Sequence, residues 1–277
     1  MKAFGFIVVV AAAALGFAWI IEGETLVVLA TVAFAVQWVA FPVAYAMRTE
    51  RFYDLAGSLT YMALLGLALL IADDLSTRAV LLALCVAIWA LRLGVFLARR
   101  VHRAGRDRRF DKVKHSPGRF AVAWSLQGLW VFLTPLAVWL VIIRPVDGLG
   151  VLDVVGLSVW LVGFGFELVA DAQKSAFRRI AKNEGRFIQS GLWAWSRHPN
   201  YFGEIALWTG IFIAASSQLQ GVEWLAVLSP VFVAILLVTG SGIPLLEADA
   251  EKRWGSDPEY QSYKNRTPVL LPWPPSR

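Results

Sequence analysis

Apolar positions in this chain come in long unbroken runs, without the alternation expected of elements that keep one wet face, and charge falls mainly between the runs. Eight runs are candidate crossings of a hydrocarbon layer: 3–21, 25–47, 55–72, 79–98, 120–143, 151–170, 203–216 and 224–246. A layer of roughly 30 Å needs about 20 apolar residues per helix. The seventh run would reach only about 21 Å at 1.5 Å per residue, so it must borrow flanking residues, tilt against neighbours or cross in part. The pattern predicts an all-α, polytopic integral membrane protein of about eight transmembrane helices, with seven as the alternative.

The basic residues orient these runs. Lys2, Arg48, Arg51, nine residues from Arg99 to Arg119, six from Lys174 to Arg197 and five from Lys252 onward make 23 on one predicted side. Arg78 and Arg144 are the two on the other side, and Arg92 lies inside a run. The positive-inside rule therefore predicts both termini in the cytoplasm of a bacterial inner membrane. The first run has the early lysine of a signal peptide but no small-residue cleavage site, and is expected to be a retained helix.

Composition narrows the function. With 58% hydrophobic and 17% charged residues among 277, a soluble globular enzyme and a disordered chain are both excluded. Cys85 is the single cysteine, so no disulfide framework exists within the chain. The net charge of +6 is accounted for by a basic membrane face, which leaves no case for nucleic acid. His102, His115 and His198 are too few and too scattered for the histidine boxes of a di-iron enzyme, and no metal site is expected.

Ionisable groups inside or beside spans are costly unless they face protein or water, so each is a candidate for function. Asp153 is expected to serve a helix start. Arg92 either snorkels to the interface or contacts a cavity. Asp54 either caps the third helix or, with Ser58 and Tyr61 on the same face and Tyr53 beside it, forms a proton-donating site. Asp54, Glu167, Asp171 and Glu204 share the level of the basic loops, which predicts a cavity open to the cytoplasm. Arginines of the 99–109 loop, with Lys174, Arg178, Arg179 and Arg186 of the second loop, either meet anionic lipid or bind phosphate. Two such loops suit a soluble polyanionic cofactor used on a lipid-soluble substrate.

The most specific stretch is Ser196-Arg197-His198-Pro199-Asn200-Tyr201-Phe202-Gly203-Glu204, followed by Glu247, Glu251-Lys252-Arg253-Trp254-Gly255 and the tail from Tyr260 to Pro268. Over about residues 160–272 this resembles the superfamily of steroid 5-alpha-reductases, sterol reductases and isoprenylcysteine carboxyl methyltransferases. The whole chain is most similar to bacterial membrane proteins related to the 5-alpha-reductases. Glu167, Asp171, Arg178 and Arg186 resemble that branch's cofactor pattern. The branch's Gln-Glu-Leu matches Tyr53-Asp54-Leu55, and its tyrosine three before an arginine matches Trp89 before Arg92.

The resemblance implies NADPH-dependent reduction of a carbon–carbon double bond in a lipophilic enone, with 3-oxo-delta-4 steroids as the implied class. Asp54, Tyr53 and Tyr61 would be catalytic, one phenol replacing the one lost at Trp89. Glu167, Asp171, Arg178, Arg186, Arg197, His198, Asn200, Tyr201, Glu204, Tyr263 and Arg266 would bind NADPH. In a single membrane domain, residues 1–150 would supply the substrate side and 151–277 the cofactor side. One alternative is a methyltransferase using S-adenosylmethionine on a lipid-borne substrate, whose cofactor lacks phosphate. The other is a non-catalytic lipid-binding or transport protein. Expected partners are a lipophilic small molecule and membrane lipids.

Overall fold

A computed structural model describes residues 2–104, 110–240 and 242–274. All regular elements among them are helical: α1 (Lys2–Ile21), α2 (Glu24–Ala46), α3 (Tyr53–Ile71), α4 (Thr77–Ala104), α5 (Pro117–Leu133), α6 (Leu136–Ile143), α7 (Val151–Arg179), α8 (Pro199–Ser216), α9 (Leu228–Thr239), α10 (Ile243–Trp254) and α11 (Pro258–Arg266), with short 3₁₀ turns between some of them. The expected polytopic helical membrane architecture is what is found. Six helical stretches are long and apolar enough to span a membrane, or seven when α5 and α6 count as one bent span. The expected fifth crossing is thus broken. Its 48° bend falls at Thr134–Pro135, where proline removes a backbone donor and crowds the preceding turn. The expected seventh crossing forms α8, which is not among the stretches apolar enough to span alone.

Two compact units emerge, each described by itself. The first comprises the described residues up to Gly150 together with Ala215–Val227. Within it α2 packs on α1, α3 and α5, and α6 packs on α3 and α4. Every residue from Leu136 to Ile142 is buried, so α6 is the unit's apolar centre. Its one polar side-chain group, the Trp139 indole N–H, donates to the Phe132 carbonyl at 3.0 Å, so the burial leaves no side-chain donor unsatisfied.

Arg78 and Arg144, the two basic residues expected on the sparsely charged side, tie that end of the first unit together. The buried Arg78 guanidinium donates to the carbonyls of Gly148 (2.8 Å) and Val146 (3.3 Å) and to Gln218 Oε1 (3.0 Å). Gln218 in turn donates to the Arg144 carbonyl (2.9 Å), and Arg144 pairs with Glu223 at 3.0 Å. Arginine suits this task because its planar fork serves several acceptors at once.

The second unit comprises Val151–Ala214 and Leu228 onward. In it α7 and α8 run antiparallel at the closest approach backbones allow. A Cβ on Gly156 would lie 2.5 Å from the Gly210 carbonyl oxygen, and one on Gly163 would lie 2.5 Å from the Leu207 nitrogen. Reciprocally, a Cβ on Gly203 or Gly210 would meet the carbonyl of Gly163 or Gly156 at 2.5 Å. Glycines seven residues apart on each helix therefore form one seam, the close small-residue packing that holds helices together where lipid offers no hydrophobic drive. This seam also explains how α8 is accommodated: its less apolar length lies along α7.

Candidate functional site

The candidate cofactor residues all lie in the second unit, and the helix pair explains why several converge. Glu167 and Asp171 sit one turn apart on α7 and are both buried. Across the seam, Gly203 brings the start of α8 against Glu167, its Cβ position lying 3.1 Å from that residue's Cβ. Asn200 reaches Asp171 with Nδ2 at 3.5 Å from Oδ1. Glu204 is buried and accepts from Trp208 Nε1 at 2.9 Å. Pro199 opens α8, where a missing N–H costs nothing.

The chain entering α8 is held by a residue the candidate set did not include. Glu247 on α10 grips Arg197 (Nη1 to Oε2, 2.6 Å) and His198 (Nε2 to Oε1, 2.8 Å) at once. The His198 ring stacks on Tyr201 at 5.6 Å and 14°. Burial pushes the His198 pKa down despite the neighbouring carboxylate. A neutral His198 then donates its Nε2 hydrogen to Glu247. The Nε atom of Arg197 is buried and has no hydrogen-bond partner among the described residues.

That depressed pKa sets a pH dependence. Between the folded value and the unfolded value of about 6.5, the unfolded chain binds more protons, so stability rises with pH. Its contribution is complete above that window and is lost as pH falls through it. Thermal melts in detergent at pH 7.5 and 5.5 are expected to show a smaller drop on acidification in His198→Gln than in the parent. An equal drop in both would remove His198 as the group responsible.

The tail packs back on the segment between α7 and α8. Tyr263 is buried and donates its hydroxyl to the Trp193 carbonyl at 2.8 Å, and burial raises its pKa. Trp193 donates to the Ala170 carbonyl (3.0 Å) while the Lys174 ammonium lies 4.1 Å from its ring centroid. Arg197 N donates to the Pro268 carbonyl, and Ser196 Oγ to that of Leu270. Tyr263 thus fixes the loop after α7. Arg178, Arg186 and Arg266 are exposed, Arg266 holding Gln189 at 2.6 Å.

The candidate catalytic residues lie in the first unit, on α3. Helix α3 begins at Tyr53 with Phe52 at its N-cap position and no side-chain cap, so Asp54 is a first-turn residue and not the cap. Asp54 is half-buried, and Ser58, one turn on, crowds Gly94 of α4. Tyr61 is buried edge-on to Trp89 at 5.1 Å. Its hydroxyl bonds Thr134 Oγ1; because Thr134 donates to the Trp130 carbonyl, Tyr61 is the donor. Tyr53 turns elsewhere: its hydroxyl donates to the Ala123 carbonyl at 2.8 Å, and its ring packs on Phe110 and Trp124. The face carrying Asp54, Ser58 and Tyr61 is therefore distinct from the direction Tyr53 takes. Arg92 is half-buried with its guanidinium 5.3 Å from the Phe96 ring centroid. Of the 99–109 loop, residues 105–109 lie outside the described residues. No group of three or more potential metal ligands occurs among the described residues.

No curated protein and no solved structure matches the chain. One family model matches residues 40–267, and the chain belongs to that family, described as a protein of unknown function (DUF1295).

Proposed function

We propose that this protein is an NADPH-dependent membrane reductase acting on the carbon–carbon double bond of a lipophilic enone, with 3-oxo-delta-4 steroids as the substrate class to test first. The observation that carries the reading is the buried polar cluster at one end of the α7–α8 seam. Its carboxylates, Glu167, Asp171 and Glu204, suit ribose hydroxyls or a carboxamide. Its orphaned donor, Arg197 Nε, suits an oxygen of the ligand. Arg178, Arg186 and Arg266, exposed in the same unit, suit phosphates. The resemblance of the 196–204 motif and the tail to the steroid 5-alpha-reductase superfamily supports the same reading.

When bound, NADPH supplies the hydride that an activated double bond accepts at its β-carbon. The chain's own task is to bind the phosphates, exclude water and stabilise the negative charge that appears on the enone oxygen. Of the two phenols, Tyr61 is the better donor for that oxygen, because it stands beside Trp89, which occupies the position of the superfamily's tyrosine. Asp54 would tune that donor from the same helical face. We read the basic loops as cytoplasmic in a bacterial inner membrane. The antiparallel course of α8 along α7 supports an eighth crossing, which puts both termini on that side.

The test compares NADPH, NADP, NADH and S-adenosylmethionine by thermal shift on detergent-purified protein, since a ligand of the folded state raises its melting temperature. NADPH and NADP are expected to stabilise more than NADH. Arg178→Ala is expected to weaken NADPH by about 1.5–3 kcal/mol. Stabilisation by S-adenosylmethionine alone would replace the reductase with the methyltransferase reading.

A further inference from the structure

The link between α2 and α3, residues 47–52, encloses a cleft of about 400 Å³ with Lys114 from the segment before α5. That size lies within the range of small-ligand sites. Both flanking helices are apolar enough to span the membrane, so the link lies at headgroup level. Arg48 and Arg51 line the cleft and are exposed; Met47 and Phe52 give it an apolar shoulder.

The ending of α2 shows that Arg48 is there against a local preference. The Thr49 N–H donates to the Ala44 carbonyl (3.0 Å) and the Arg48 N–H to the Tyr45 carbonyl (3.0 Å). These are the two bonds of a Schellman helix ending, whose left-handed position is normally glycine. Arg48 fills it with φ +47°, alone among the described non-glycine residues in having a positive φ. A bulky side chain there is disfavoured, and such outliers gather at binding sites. Among the described residues its guanidinium has no ion-pair partner.

The rest of the cleft is built to hold its shape and its charge. Glu50 is buried and receives the Lys114 ammonium at 2.8 Å, which pins the link to the α4–α5 segment and cancels both charges. The Arg51 N–H donates to Thr49 Oγ1 at 3.3 Å, turning the backbone between the two arginines. Arg48 leaves a positive charge exposed at the cleft mouth.

From this we infer that the 47–52 cleft is a binding site for a phosphate group at the membrane surface, with Arg48 as its principal ligand. The group comes either from an anionic phospholipid headgroup or from a free phosphate ester; the apolar shoulder of Met47 and Phe52 suits the former. All the residues of the site belong to the first unit.

Replacement of Arg48 by glycine separates ligand binding from architecture, because glycine is the residue this helix ending prefers. In phosphatidylcholine vesicles lacking anionic lipid, Arg48→Gly is expected to melt at or above the parent's temperature. Its affinity for phosphatidylglycerol, added to the same vesicles, is expected to fall about fivefold, the scale of one basic side chain near a membrane surface. Arg48→Asn, also compatible with the left-handed conformation, is expected to do the same. Stabilisation of the parent by phosphatidylglycerol and not by inorganic phosphate or glycerol 3-phosphate identifies the lipid as the source; equal stabilisation by the soluble anions identifies a free phosphate. Parent-like phosphatidylglycerol and phosphate binding in both variants, no response of the parent to any of these anions, or unfolding of both variants would overturn the assignment.

Discussion

Replacing Asp54 with asparagine is expected to lower enone turnover about 100-fold or more while NADPH affinity stays near that of the parent. As an N-cap, Asp54 would have lost almost nothing on becoming asparagine, since both residues cap well. The structure removes that role: Phe52 holds the cap position and Asp54 lies inside the first turn. As a first-turn carboxylate it also gains about 0.3–1 kcal/mol from the helix dipole, so the melting temperature of the variant is measured beside its turnover. A large fall in turnover with little change in melting temperature is therefore the signature of charge or acidity used in the reaction. Tyr61→Phe supplies the companion result. It deletes a hydroxyl whose bond to Thr134 is worth about 1 kcal/mol, yet if that phenol polarises the enone, turnover falls as in Asp54→Asn. Tyr53→Phe should leave turnover nearly unchanged, because that side chain packs on Phe110 and Trp124, away from the face Asp54 and Tyr61 share. Near-parental turnover in both Asp54→Asn and Tyr61→Phe would move the chemistry off α3.

The long apolar runs made the helices of this protein legible because length and the absence of charge suffice to specify a membrane helix. What they could not carry was relations between distant residues. Glu247 is conspicuous in sequence as the first acidic residue after an apolar run, but its hold on Arg197 and His198 spans about fifty residues and needs the fold to be seen. The break between α5 and α6 was signalled by Pro135 in the middle of a run, a local cue that length counting passed over. In sequence Arg78 is only a charge on the sparse side; its role as a buried fork depends on carbonyls from the segment before α7 and on Gln218. Tyr53, Asp54 and Tyr61 are close in sequence, and only the neighbours of α3 reveal that Tyr53 turns away from the face the other two share.

Replacing Gly203 with valine is expected to destabilise the second unit by about 3 kcal/mol, or to prevent the α7–α8 pair from forming, and to abolish cofactor binding with it. The Cβ alone would stand 2.5 Å from the Gly163 carbonyl oxygen and 2.6 Å from the Glu167 nitrogen, where neither backbone can give way as a flexible side chain could. Overpacking of a close core usually costs about 1–3 kcal/mol, and a β-branched residue at a backbone-to-backbone contact belongs at the upper end. The seam also aligns the two helices that carry Glu167, Asp171, Asn200 and Glu204, so forcing it apart displaces the cluster even in molecules that remain folded. Gly165→Ala is the control. Gly165 lies on α7, the other helix of the pair, but a Cβ there meets nothing within 4 Å, so alanine should be neutral or should stabilise by up to about 1 kcal/mol through helix propensity. Equal melting temperatures for Gly203→Val and Gly165→Ala would show that the seam does not hold the helices, and that the convergence of the polar cluster has another cause.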